Sequence, residues 1–207
     1  MNNLLVIISS AAREDSVSRV LVEEAAARLV QANPATTVVR RDLGVNPVPH
    51  LAVDTLAGVR GTPTTPAEHR ARALSDELIS ELRAADTIVI GAPMYNFGVT
   101  TSLRAWFDHV LRAGETFSYS AAGPKGLLAG KRVVVVESRG GLYSEGPAMA
   151  VDFQEPYLRH LLGFVGITDV TFVRAEKIGY GPEARAAALA QAKTEIAALA
   201  EPLQRAA

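Results

Sequence analysis

A parallel β-sheet with helices packed on both of its faces is the architecture this sequence predicts. Two observations carry it. Short apolar runs alternate five times with segments of helical period. The runs are also continuous, where a half-exposed strand would alternate, which marks strands covered on both sides. A length of 207 residues with 48% apolar ones supports one sizeable core, burying roughly 70% of the unfolded surface. The chain is therefore read as a single domain over residues 1–207.

Each element follows from its residues. Leu4 to Ile8 is the first apolar strand. Val17, Val20, Leu21, Ala25, Leu29 and Val30 then recur at helical spacing, and Asn33-Pro34 ends that helix. Thr36 to Arg41 reads as the second strand, and the Pro/Gly-rich stretch from Leu43 to Pro66 as a long surface excursion. Helical period returns from Pro66 to Ala84 through Leu74, Leu78, Ile79 and Leu82. Thr87 to Ile90 is the third strand, with a helix after it from Thr101 to Leu111. Thr116 to Lys125 alternates Phe117 and Tyr119 with serines and reads as a hairpin or flap. Val133 to Val136 is the fourth strand, Glu155 to Phe164 a helix, Val170 to Val173 the fifth strand, and Ala-rich Pro182 to Leu203 a closing helix.

Composition narrows the function. A net charge of −1 gives no footprint for nucleic acid or an anionic membrane. The absence of cysteine excludes disulfides, thiolate zinc sites and thiol catalysis. Met1 to Ile8 lacks a basic leader and reads as a strand, not a signal peptide. No apolar window reaches the roughly 18 residues of a membrane span, so a cytoplasmic protein is expected. His50, His69, His109 and His160 form no metal-binding pair, and no metal is expected; His109 and His160 read as surface or interface residues.

In an open doubly wound sheet, ligands bind beyond the carboxyl ends of the strands, where strand order switches. That singles out the loops after the first, third and fourth strands. The first carries Ser9, Ser10, Ser16 and Ser18 and feeds a helix N-terminus, a place for a phosphate. Capping of the helix by Asp15 or Ser16 is the other reading, and it leaves Ser9, Ser10 and Ser18 unassigned. No G-x-G-x-x-G is present, and Gly126 to Lys131 falls one residue short of a P-loop. After the third strand come Met94, Tyr95, Asn96 and Phe97, apolar surface with a few polar groups, suited to a planar heteroaromatic ring. The alternative is that Tyr95 and Phe97 fill a gap against a helix. Gly140-Gly141, after Ser138 and Arg139, would let backbone N–H groups approach the same ring. A phosphate pocket and ring platform without acid, base or nucleophile suggest that a cofactor carries the reaction.

At these residues the chain closely resembles the FMN-dependent NADH:quinone oxidoreductases and azoreductases, flavodoxin-like homodimers. The matches run in order: the serine loop, "RDL" and "NP.P" from Arg41 to Pro49, "LSDELI.EL" from Leu74 to Leu82, and "APMYNF" from Ala92 to Phe97. They continue with "RAG.TF.Y" from Arg112 to Tyr119, "SRGG" from Ser138 to Gly141, "LGF.GI" from Leu162 to Ile167 and "YGPE" from Tyr180 to Glu183.

The resemblance implies a flavodoxin-like doubly wound sheet of strand order 2-1-3-4-5 and one bound FMN. Its phosphate and ribityl tail would sit on Ser10 and Ser16, Val17 and Ser18. Its ring would lie against Met94, Tyr95, Asn96 and Phe97, with the pyrimidine edge over Ser138, Arg139, Gly140 and Gly141. Tyr119 and Phe164 match positions that complete the partner subunit's substrate site, and Tyr143 occupies a substrate-side position that varies in the family. The implied reaction is a ping-pong transfer of two electrons from NADH or NADPH to a quinone or azo compound, with no residue acting as catalyst in its own right. A flavodoxin-type one-electron carrier is the competing reading; such carriers usually have a strongly acidic surface, which this near-neutral chain lacks.

Overall fold

In the computed structural model, which describes residues 2–12 and 16–204, strand and helix alternate as the apolar pattern requires. Strand β1 (Asn3–Ile8) leads through the serine loop into α1 (Val17–Ala32) and on to β2 (Thr37–Asp42). The excursion that follows holds a short helix, α2 (Leu56–Arg60), which periodicity does not announce. It is stapled by arginines: Arg60 donates to the carbonyl of Asp108 at 3.0 Å, and Arg72 to that of Gly61 at 2.5 Å. Helix α3 (Pro66–Ala84) starts with proline at its first position. Thr65 and Glu68 close a reciprocal capping box there, so its start is encoded locally.

Next come β3 (Thr87–Pro93), α4 (Thr101–Val110) and an antiparallel hairpin of β4 (Phe117–Ser120) and β5 (Gly123–Gly126). The chain then runs through β6 (Arg132–Ser138), a 3-10 turn (Pro147–Val151), α5 (Glu155–Phe164), β7 (Asp169–Ala175) and α6 (Pro182–Gln204). Among these residues no helix is long and apolar enough to cross a membrane.

The five-stranded sheet has the order β2-β1-β3-β6-β7 with every pair parallel, the 2-1-3-4-5 pattern once the hairpin strands are left out of the count. β3 and β6 outrun their apolar runs because they pair with each other to the end, Ala92 opposite Glu137 and Pro93 opposite Ser138. A strand-final proline is tolerated because it owes the ladder no N–H beyond that point.

Side-chain alternation divides one sheet between two cores. Leu4, Val6 and Ile8 join Val89, Val134, Val136 and Val173 against Leu21 and Ala25 of α1 and Ala192 and Ile196 of α6. Leu5 and Ile7 join Ile88, Ile90, Val133 and Val135 against Leu78 of α3, Trp106 of α4 and Leu158 of α5. Val20, expected on the apolar face of α1, is instead 44% exposed; Val22 takes the buried place.

The hairpin is held by absent side chains. A Cβ on Gly126 would sit 2.1 Å from the amide nitrogen of Gly166 and 2.2 Å from the carbonyl carbon of Val165. The end of β5 thus rests directly on backbone just past α5. β1 lies between β2 and β3, and the chain reverses direction across the sheet there. The switch point therefore opens at the carboxyl ends of β1 and β3.

Candidate functional site

Three loops leave the carboxyl ends of β1, β3 and β6, which are neighbours in the sheet. In the first loop the serines divide into separate tasks. The Ser9 hydroxyl donates to the carbonyl of Gly91 at 2.7 Å and pins the loop to β3. Ser16 is the N-cap of α1, its Oγ accepting the Arg19 N–H at 3.2 Å. Capping is therefore real but partial. Ser18 Oγ lies 3.2 Å from Ser16 Oγ, and Ser10 Oγ accepts the Ala12 N–H at 3.2 Å.

Ser10, Ser16 and Ser18 are buried to within 5% exposure. The Ser10 O–H, and one of the two hydroxyl hydrogens in the Ser16–Ser18 pair, have no acceptor among the described residues. Buried donors without acceptors are costly. A bound anion would satisfy them together with the N–H groups that open α1. Arg19 is already committed to Asp42 at 2.6 Å. Burial alone would raise the Asp42 carboxyl, but Arg19 and the N–H groups of Val45 and Gly44 outweigh it and hold it below its ordinary range. Arg13, Glu14 and Asp15, including the cap expected at Asp15, lie outside the described residues.

The loop after β3 is a closed turn. Tyr95 N–H donates to Gly98 O at 3.0 Å, and Gly98 N–H returns the bond to Tyr95 O at 3.1 Å. Its two central residues, Asn96 and Phe97, have φ of 48° and 69°. Asparagine visits this left-handed region readily; an aromatic residue does so at a cost of roughly 1–3 kcal/mol. The strain buys display: Tyr95 is 40% and Phe97 48% exposed, so neither fills a gap against a helix. Phe153 N–H holds the turn from the other side, donating to Phe97 O at 3.1 Å.

Met94 N–H donates to Ser138 O at 2.9 Å and joins this turn to the loop after β6. The carbonyls of Gly140 and Gly141 accept the N–H groups of Gly179 at 3.0 Å and Lys177 at 2.8 Å. Their own N–H groups have no acceptor among the described residues, as a ligand's polar edge would require. Ser138 is buried beside them.

Arg139 is different. Its guanidinium is fully buried and reaches Gln154 at 3.0 Å, Glu137 at 2.7 Å, Asp152 at 3.1 Å and Glu176 at 3.2 Å. Its own N–H and C=O are taken by Ala175 and Ile178. Arg139 thus belongs to the loop as its internal anchor, and its polar groups are all engaged within the protein.

No local sequence signal marks this cluster, because its partners lie up to 37 positions apart. It is also electrostatically crowded. Burial raises the Glu137 carboxyl, Arg139 pulls it back, and the charges of Glu155 and Asp152 raise it again, to about 8. One Glu137 oxygen, Oε1, is buried without a partner among the described residues. Burial would likewise raise Glu176, but the Ser144 hydroxyl, the Tyr143 N–H and Arg139 overcome it and lower it.

Of the proposed substrate residues, only Tyr143 is tied to the ring platform, its ring edge-on to Phe97 with centroids 6.2 Å apart. Tyr119, 71% exposed, packs on Phe117 at 5.5 Å, and Phe117 on Phe164 at 4.6 Å. Among the described residues no ring contact joins this second group to Met94–Phe97 or Tyr143. His160 stacks on Phe164 at 6.4 Å and is exposed as expected. His109 is not: it is 2% exposed, its Nε2 donating to Pro49 O at 3.1 Å, and burial holds it below its ordinary value.

Comparison with known proteins gives one consistent family. A family profile described as "Flavodoxin-like fold" matches residues 2–200. The chain is 71% identical over 201 residues to an "FMN-dependent NADH:quinone oxidoreductase" of Hyphomonas neptunium, covering 97% of both chains. It is 50% identical over 192 residues to a protein of the same name from Ralstonia nicotianae, covering 90% of this chain and 91% of that one. An azoreductase from Bacillus anthracis superposes with a TM-score of 0.89 at 32% identity, over 97% of this chain and 99% of the other. An "FMN-dependent NADH-azoreductase" from the same species, solved in complex with FMN, also gives 0.89 at 26% identity, over 99% and 100%.

Proposed function

The chain belongs to the flavodoxin-like family of FMN-dependent NADH:quinone oxidoreductases and NADH-azoreductases, and on that premise we propose that it reduces quinones, and azo compounds in the same slot, in a two-electron ping-pong cycle. The observation that carries this reading is the buried serine cradle, with hydroxyl hydrogens that find no acceptor among the described residues, set at the same carboxyl end of the sheet as an exposed aromatic turn. FMN, when bound, supplies the two-electron redox chemistry that no side chain of the site offers.

The residues fit such a group. Ser10, Ser16 and Ser18, with the N–H groups that begin α1 at Val17, would hold its phosphate. Met94, Tyr95, Asn96 and Phe97 would carry its ring, with the N–H groups of Gly140 and Gly141 along its polar edge. The chain's own work is to bind, orient and exclude water. Tyr143 closes the slot beside Phe97. Tyr119 and Phe164 would complete the slot of a second copy in a homodimer, since their own row of rings stands apart from the platform. NADH is the donor the relatives' names give. NADPH is tested beside it. A cytoplasmic location is part of the proposal, because reduced nicotinamide is supplied there.

If donor and acceptor occupy one slot in turn, initial rates at several quinone concentrations should give parallel double-reciprocal lines. Intersecting lines would require both to be bound together and would overturn the shared slot. Heating should release FMN; FAD as the released species would overturn the cofactor assignment. Failure of both NADH and NADPH to bleach the bound flavin would favour the one-electron carrier.

A further inference from the structure

The two ring-side loops are joined through one side chain that has no role in the reading above. Gln154, at the start of α5, is fully buried. Its Oε1 accepts the Arg139 Nε–H at 3.0 Å, and its Nε2 donates to Ala92 O at 2.7 Å. Arg139 opens onto the glycine pair, and Ala92 stands two residues before Met94. The backbone beside Gln154 reaches the same turn, since Phe153 N–H donates to Phe97 O.

We propose that Gln154 is a positioning residue: its neutral amide, held between the Arg139 guanidinium and the Ala92 carbonyl, sets the spacing between the Met94–Phe97 turn and the Ser138–Gly141 loop, and so the fit of the flavin ring. This rests on the reading that FMN binds between those loops.

The surroundings explain why an amide is needed. Glu137 from β6, Asp152 and Glu155 at the head of α5, and Glu176 after β7 crowd the site, with Arg139, Arg159 and Arg174 as the cations facing them. A carboxylate at 154 would accept from Arg139 but oppose the lone pairs of Ala92 O and add negative charge. A cation would repel Arg139. Only a neutral group with one acceptor and one donor satisfies both neighbours. A protonated glutamate has that pattern as well, its O–H replacing the amide N–H, which makes the arrangement testable by pH.

FMN is titrated into the apo forms of wild type, Gln154→Met and Gln154→Glu at pH 6 and pH 9, following quenching of flavin fluorescence, with circular dichroism confirming folded protein. Gln154→Met keeps the length and loses both bonds, so its Kd should rise roughly ten-fold at both pH values. Gln154→Glu should bind much less tightly than wild type at pH 9 and approach it at pH 6. A fold-supporting role alone would not give that recovery. Wild-type affinity in Gln154→Met, or a Gln154→Glu whose Kd relative to wild type is the same at both pH values, overturns the proposal. Should Gln154→Met not be recovered folded, the pH ratio of Gln154→Glu decides alone. Wild type that binds no FMN would instead overturn the functional reading itself.

Discussion

Ser16 and Ser18 place two buried hydroxyl oxygens 3.2 Å apart at the mouth of α1, and only one of them is spent on the helix. Ser16→Ala with Ser18→Ala should therefore weaken FMN binding by roughly 1.5–3 kcal/mol for each charge-assisted bond lost. Backbone donors remain, so binding should fall without vanishing. Ser18→Ala alone should leave the melting temperature in place, while Ser16→Ala should lower it by the loss of a cap worth about 1 kcal/mol. FMN titrations beside thermal melts separate the two; unchanged affinity in the double variant would return both serines to structure.

Glu137 gives a second expectation. Its carboxyl lies at about 8 when folded, above the ordinary 4.5, so between those values the folded state holds a proton that the unfolded state has released. Stability from this group is present below 4.5 and is lost as pH rises through 8, on the order of a few kcal/mol. Urea melts at pH 5 and pH 8.5 should show that Glu137→Gln loses less stability between them than wild type. Burial of His109 acts in the opposite direction as pH climbs past its ordinary 6.5 and is common to both proteins, so the difference isolates Glu137. An identical fall in both would sink the assignment. The serines, the aromatic turn and the glycine pair could be picked out of the sequence as candidates because each set lies within one short stretch of chain. Arg139 could be placed in its loop but not understood, since its partners Gln154 and Glu176 stand 15 and 37 positions away.

Elements were legible where a local signal exists. Continuous apolar runs mark β1, β3 and β6, and the Thr65–Glu68 box marks α3. Helix α2 and the 3-10 turn at Pro147–Val151 have five residues each, too short for a period; α2 is held by the arginines described above and the turn by local backbone bonds. The hairpin of β4 and β5 is visible in the alternation around Phe117 and Tyr119, but its docking is not, because it depends on two backbones meeting at Gly126 and Gly166. Gly126→Ala should push β5 off the end of α5 at a cost of about 1–3 kcal/mol. The melting temperature should fall and the KM for quinone should rise as Tyr119 and Phe164 move, with FMN affinity close to wild type. A variant with lowered FMN affinity and an unmoved quinone KM would put the hairpin on the wrong side of the site.

At the scale of the molecule, α5 connects two regions that share no ring contact among the described residues: its start braces the platform through Gln154, and its last residue is Phe164. In a two-fold dimer of the kind proposed, each slot would then be assembled from the loops of one copy and the rings of the other. That arrangement has a genetic meaning. A chain carrying Phe164→Ala and a chain carrying Ser16→Ala with Ser18→Ala are each impaired as homodimers, but a mixed dimer pools both lesions in one slot and leaves the second slot wild type. Co-expressed from two alleles, and assayed at limiting FMN and quinone, the pair should exceed the activity of either parent. Activity no better than the parents' average would mean that each chain uses its own Phe164. Two defective copies of the gene would thus complement each other when one defect falls in the serine cradle at the head of α1 and the other at Phe164, and fail to do so when both fall on the same side of the slot.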